Sequence, residues 1–136
     1  MKKINQSSVE LFFDFVGIDN SYMNLSIING EEVIEVSPQD KQKVILSIEF
    51  PTEIILDISG KNMNVDTVVN EAGKIILDKH ISLTKIIVDR VVVPDYFLQK
   101  WPQVNDITTP YFGFIGSVKL RFNEPNSFYW LLKTKQ

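Results

Sequence analysis

Apolar and polar residues alternate with a period of two through most of this chain. Val9, Leu11, Phe13 and Phe15 alternate with Glu10 and Asp14, and Met23, Leu25 and Ile27 alternate with Asn24 and Ser26. Val44, Leu46, Ile48 and Phe50 stand against Lys43, Ser47 and Glu49. Ile54, Leu56 and Ile58 stand against Asp57 and Ser59, and Val118, Leu120 and Phe122 against Lys119 and Arg121. Successive side chains of a strand point to opposite faces, so each run predicts a strand with one face in a core. Further strands are expected over residues 31–36, 74–78, 81–89 and 128–132. In the third of these the apolar face switches near Lys85, as a bulge requires.

Turn residues punctuate the runs. Asn29-Gly30 predicts a tight hairpin, because a type I′ turn needs positive φ at both central residues. Gly17 to Ser21, Ser37-Pro38-Gln39-Asp40 and Asn123-Glu124-Pro125-Asn126 read as turns, and Pro51-Thr52 as a strand break. Residues 94–110 form a long loop with Pro94, Pro102 and Pro110. Only Pro94 to Trp101 leaves room for two helical turns. Many short strands with little helix predict an all-β fold, an antiparallel β-sandwich that is jelly-roll-like. A lipid-binding barrel needs two lid helices after its first strand, where this chain has a turn.

Composition narrows the class. A chain of 136 residues fits one domain, residues 1–136, large enough to bury its own core. It has no cysteine, which excludes a disulfide framework and thiolate metal sites. The net charge of −3 does not suit a general nucleic-acid binder. Charge is uneven: residues 1–40 sum to −5, with Lys2 and Lys3 against seven acids, and residues 117–136 sum to +3. Polar residues break the run after Met1-Lys2-Lys3, so no signal peptide is expected. No run approaches a membrane span. The expected location is cytoplasmic or virion-associated.

Catalytic signals are weak. His80 is the lone histidine, and its place beside Lys79 at a strand start suits a surface residue. No nucleophile elbow and no phosphate-cradling glycine loop occurs. The chain is expected not to be an enzyme.

Two constellations point to binding. Between Gly60 and Gly73, oxygen-bearing Asn62, Asn64 and Asp66 stand two apart, and Asp78 ends the strand that follows. Hard cations such as calcium take six to eight oxygens, many from loops. The metal candidates are Asn64, Asp66 and Asp78. The other reading is a polar loop built from turn-forming Asn and Asp. Thr67 and Val68 follow Asp66 where an EF-hand needs glycine. The second constellation is aromatic. Tyr96, Trp101, Tyr111 and Tyr129 fall on loops or on the faces opposite the core. Exposed rings can stack on the apolar faces of sugars or mark a protein interface. Trp101, between Lys100 and Pro102, can instead pin its loop to the body.

These parts resemble the calcium-dependent, xylan-binding type of carbohydrate-binding module. The resemblance lies in Met23-Asn24-Leu25-Ser26-Ile27-Ile28-Asn29-Gly30, then Asn64 to Asp66, Asp78, and Lys85-Ile86-Ile87-Val88-Asp89. It spans residues 9–93. Val65 separates Asn64 from Asp66, which are usually adjacent in that family. Asp78-Lys79-His80-Ile81 replaces its Asp-Arg-Asn-Leu element. The resemblance implies a jelly-roll sandwich that binds polysaccharide with a calcium-assisted site, and the ligand-binding candidates for that role are the exposed rings Trp101, Tyr111, Tyr96 and Tyr129. Modules of this look are also attached to bacteriophage particles. The alternative expectation is therefore a structural or assembly protein of a virus particle, whose aromatic surface meets another protein subunit.

Overall fold

The computed structural model describes residues 6–18, 21–49, 52–61, 67–93, 102–104 and 107–122. They form strands β1 (Gln6–Val16), β2 (Asn24–Asn29), β3 (Glu32–Val36), β4 (Lys41–Glu49), β5 (Thr52–Ser59) and β6 (Thr67–Val69). After these come β7 (Ile75–Asp78), β8 (His80–Val88), β9 (Val91–Val92), β10 (Gln103–Val104), β11 (Ile107–Thr108), β12 (Tyr111–Phe112) and β13 (Gly116–Phe122). The first sheet runs β12-β8-β1-β4, with β9 also paired to β8. The second runs β11-β10-β13-β5-β2-β3, and β6 pairs with β7 apart from both. Every pairing is antiparallel. The chain crosses repeatedly between two sheets packed on one core, so the expected jelly-roll-like sandwich is the fold. No helix of the described residues is long and apolar enough to cross a membrane.

The period-two runs explain the core. Val9, Leu11, Phe13 and Phe15 of β1, Leu46 and Ile48 of β4, and Ile81, Leu83, Ile86 and Val88 of β8 are buried from the first sheet. Leu25 and Ile27 of β2, Ile54, Leu56 and Ile58 of β5, and Val118, Leu120 and Phe122 of β13 meet them from the second. Burying side chains of this size contributes about 1.5–3 kcal/mol each. The expected bulge is present: β1 and β8 shift register between Phe12 and Phe13, where Phe12 faces Lys85 and Phe13 faces Leu83. Thr84 is the extra residue, and its Oγ1 donates to the Phe12 carbonyl at 3.2 Å.

Several local expectations are corrected. Asn29 pairs with Glu32, so the hairpin turns on Gly30-Glu31, one residue later than the Asn-Gly signal implied. Only Gly30 of that pair has positive φ, which is the type II′ requirement. Asp89 does not continue its strand. Asp89 and Arg90 take φ of 47° and 71° and turn β8 into β9. Carboxylate bonds hold that turn, with Ser7 Oγ donating at 2.6 Å and the Ser8 amide at 3.0 Å. The long loops also contain short strands: β6 lies inside the 60–73 segment, and β10 and β11 inside 94–110. Phe50, the segment from Pro94 to Trp101 and the 128–132 strand lie outside the described residues.

Candidate functional site

The first sheet turns one face into the core and the other outward. Phe112 is buried, so its neighbour Tyr111 points out. Tyr111 lies opposite Ser82, Ser82 opposite Asp14, and Asp14 opposite Lys41, which makes one row across the sheet. The adjacent row is Lys85, Phe12 and Lys43. The outward surface is therefore an aromatic and polar face, with Tyr111 at one edge.

Tyr111 is exposed, with 42% of its surface open, yet it is held from two directions. Its hydroxyl donates to Asp78 Oδ2. Its ring stacks on His80, with centroids 4.3 Å apart and planes inclined by 30°. His80 is fixed in turn by Nδ1, 2.9 Å from the Asp78 carbonyl oxygen. A carbonyl only accepts, so Nδ1 carries the proton.

Asp78 is the hub of this edge. Oδ1 accepts from Lys61 Nζ at 2.5 Å and from Thr67 Oγ1 at 2.8 Å. Lys61 lies just past the end of β5, and its ammonium also donates to the Gly113 carbonyl at 2.8 Å. The Lys61 side chain is 1% exposed and that of Asp78 14%. Burial works to raise the Asp78 pKa. Hydrogen bonds from Lys61, Tyr111 and Thr67, with the Lys61 charge, outweigh it and hold the carboxyl below its ordinary value. Burial and the adjacent Asp78 carboxylate push the Tyr111 phenol well above its ordinary value. Tyr111 is therefore a neutral donor at any physiological pH.

Gly113 completes the cluster by lacking a side chain. A Cβ there would stand 2.8 Å from Tyr111 Cε1 and 3.0 Å from Asp78 Oδ2. Lys61, Thr67, His80 and Gly113 were not singled out as site residues from sequence. Charged Lys61 two residues past a strand end was the available signal, and its 1% exposure could not be read from it.

Of the sequence candidates, the structure brings Asp78 and Tyr111 into direct contact. Asn64, Asp66, Tyr96, Trp101 and Tyr129 lie outside the described residues. Asp78 is the metal candidate that the described residues include, and its carboxylate is already engaged. Asp78 holds an ammonium at 2.5 Å, and a second cation on the same carboxylate would face that charge. Among the described residues no group of three or more His, Asp or Glu side chains converges.

No protein-family model matches the chain, and no curated protein matches it. Among solved structures it is similar to the calcium-dependent carbohydrate binding module vCBM60. That similarity covers 85% of this chain and 90% of the module, at 11% sequence identity and a TM-score of 0.48.

Proposed function

We propose that this protein is a non-catalytic polysaccharide-binding module that receives its ligand on the outward face of the first sheet. The observation that carries the reading is Tyr111, an exposed ring whose hydroxyl and one face are both fixed, by Asp78 and His80. A ring fixed before binding loses little conformational freedom when a sugar packs on it. Aromatic rings also supply a large apolar area to the C–H face of a pyranose. Ser82, Asp14 and Thr84 line the same face with hydroxyl and carboxylate partners for sugar hydroxyls. Asp78 acts in this reading as a positioning residue for Tyr111, itself held by the ammonium of Lys61.

Affinity electrophoresis through gels containing soluble polysaccharides tests the reading. The wild-type chain is expected to be retarded by at least one polysaccharide, and Tyr111→Ala to run as in a blank gel. Equal retardation of the two proteins would overturn it.

A further inference from the structure

Beyond Tyr111, the same outward face holds a second aromatic position with a different electrostatic character. Phe12 lies at the centre of its row, with Lys43 Nζ 5.8 Å and Lys85 Nζ 5.4 Å from the ring centroid. Beside it is a shallow groove of about 370 Å³, lined by Phe12, Asp14, Lys41, Gln42, Lys43 and Thr84 among others. Two ammonium groups thus lie against one half-buried ring, and Lys41 lines the groove beside it, in a chain whose net charge is −3. Two acids stand next to Phe12 on this face, and Glu49 lies farther along β4. Glu10 approaches Lys43 at 3.7 Å, and Asp14 sits opposite Lys41. Next to the ring and its groove, three cations stand against two carboxylates, a local positive excess.

An aromatic ring framed by ammonium groups suits a ligand that is apolar on one side and anionic at its margin. A sugar ring bearing a carboxylate has that chemistry: its C–H face packs on Phe12 and its carboxylate reaches Lys43 and Lys85. Tyr111 lies two strands away and two residues along the sheet. That separation is about 12 Å between Cα positions, within the span of a short oligosaccharide. We infer that the Phe12 groove is a second subsite of the glycan face, and that Lys41, Lys43 and Lys85 select polysaccharides carrying carboxylates. The inference rests on the glycan reading and adds the class of sugar.

Polygalacturonate and its fully methyl-esterified form test it, because the two chains differ in charge and share their sugar. Alginate and hyaluronate extend the acidic set, xylan serves as a neutral chain, and polyglutamate as an acid without sugar rings. The wild type is expected to bind an acidic polysaccharide at least tenfold more tightly than the esterified chain, with the preference fading as salt rises. Lys43→Gln with Lys85→Gln should remove most of that preference, each lysine contributing roughly threefold. Phe12→Ala should weaken acidic binding and leave the fold intact, as thermal melting would show. Binding to neutral chains alone, still dependent on Tyr111, would sink this inference and spare the glycan reading. Equal binding to polyglutamate would reduce the patch to non-specific charge and also overturn it. Failure to bind any polysaccharide would sink both.

Discussion

Lys61 places its ammonium 2.5 Å from Asp78 Oδ1, with only 1% of its side chain exposed. The pair joins the segment after β5 to the end of β7, and through Tyr111 and Gly113 it reaches β12 and the turn that follows. Removing one member leaves the other charge without its partner in a largely dry place. Asp78→Ala is expected to cost about 3 kcal/mol in urea denaturation. Lys61→Met combined with Asp78→Ala should cost less than Asp78→Ala alone, because no uncompensated ammonium remains. A double variant no more stable than the single one would show that the pair is solvated.

The depressed Asp78 pKa has a definite sign. The unfolded carboxyl takes up a proton near its ordinary value and the folded one at lower pH. The contribution of Asp78 is therefore complete above about pH 4 and lost as pH falls through the folded pKa. Tyr111 works at the other end. Its raised pKa gives stability that is complete below about pH 10 and lost as pH rises further. Asp78→Asn should flatten the acid limb of the stability profile relative to wild type, and Tyr111→Phe the alkaline limb. Absorbance at 295 nm should show one of the four tyrosines refusing to ionise until the chain unfolds. That signal should vanish in Tyr111→Phe.

Gly113 has no side chain because the Tyr111 ring and the Asp78 carboxylate occupy the space. Gly113→Ala should cost about 1–3 kcal/mol, as insertions into filled space do. It should also lower the pH at which the protected tyrosine ionises, since the new methyl pushes the ring from its acceptor. An unchanged 295 nm titration would contradict this packing.

Calcium offers a further check on the hub. With Asp78 committed to Lys61, Thr67 and Tyr111, millimolar calcium in place of EDTA should move the melting midpoints of wild type and Asp78→Asn equally. A ligand at 100 times its Kd that binds only the folded state would add about 2.7 kcal/mol, a shift of several degrees. Such a shift, abolished by Asp78→Asn, would show that a metal displaces Lys61.

The alternation of apolar residues made the sandwich legible, because period two sorts Val9 to Phe15, Leu46 to Ile48, Ile54 to Ile58 and Val118 to Phe122 onto buried faces without tertiary knowledge. The face switch near Lys85 was legible for the same reason, since a bulge is visible as a broken period. The Asp89-Arg90 turn was not. Neither residue favours positive φ as glycine does, and the carboxylate bonds to Ser7 and Ser8 that hold the turn span more than eighty positions. Asp78 and Tyr111 were each visible as candidates, one as an oxygen donor and the other as an exposed ring. Their contact was not, because they are 33 residues apart and brought together by the pairing of β12 with β8. Lys61 was hidden by a reasonable expectation, that a lysine after a strand end is solvated.

The most direct test of the glycan face is calorimetric titration with an oligosaccharide cut from whichever polysaccharide retards the wild-type chain. Wild type, Tyr111→Phe and Tyr111→Ala should bind in that order. Alanine should lose about 2 kcal/mol, some thirtyfold, as the truncation of a central aromatic anchor does. Phenylalanine keeps the ring but frees it from Asp78, and should lose only a few-fold. Wild-type affinity in Tyr111→Ala, with the fold intact, would contradict the account.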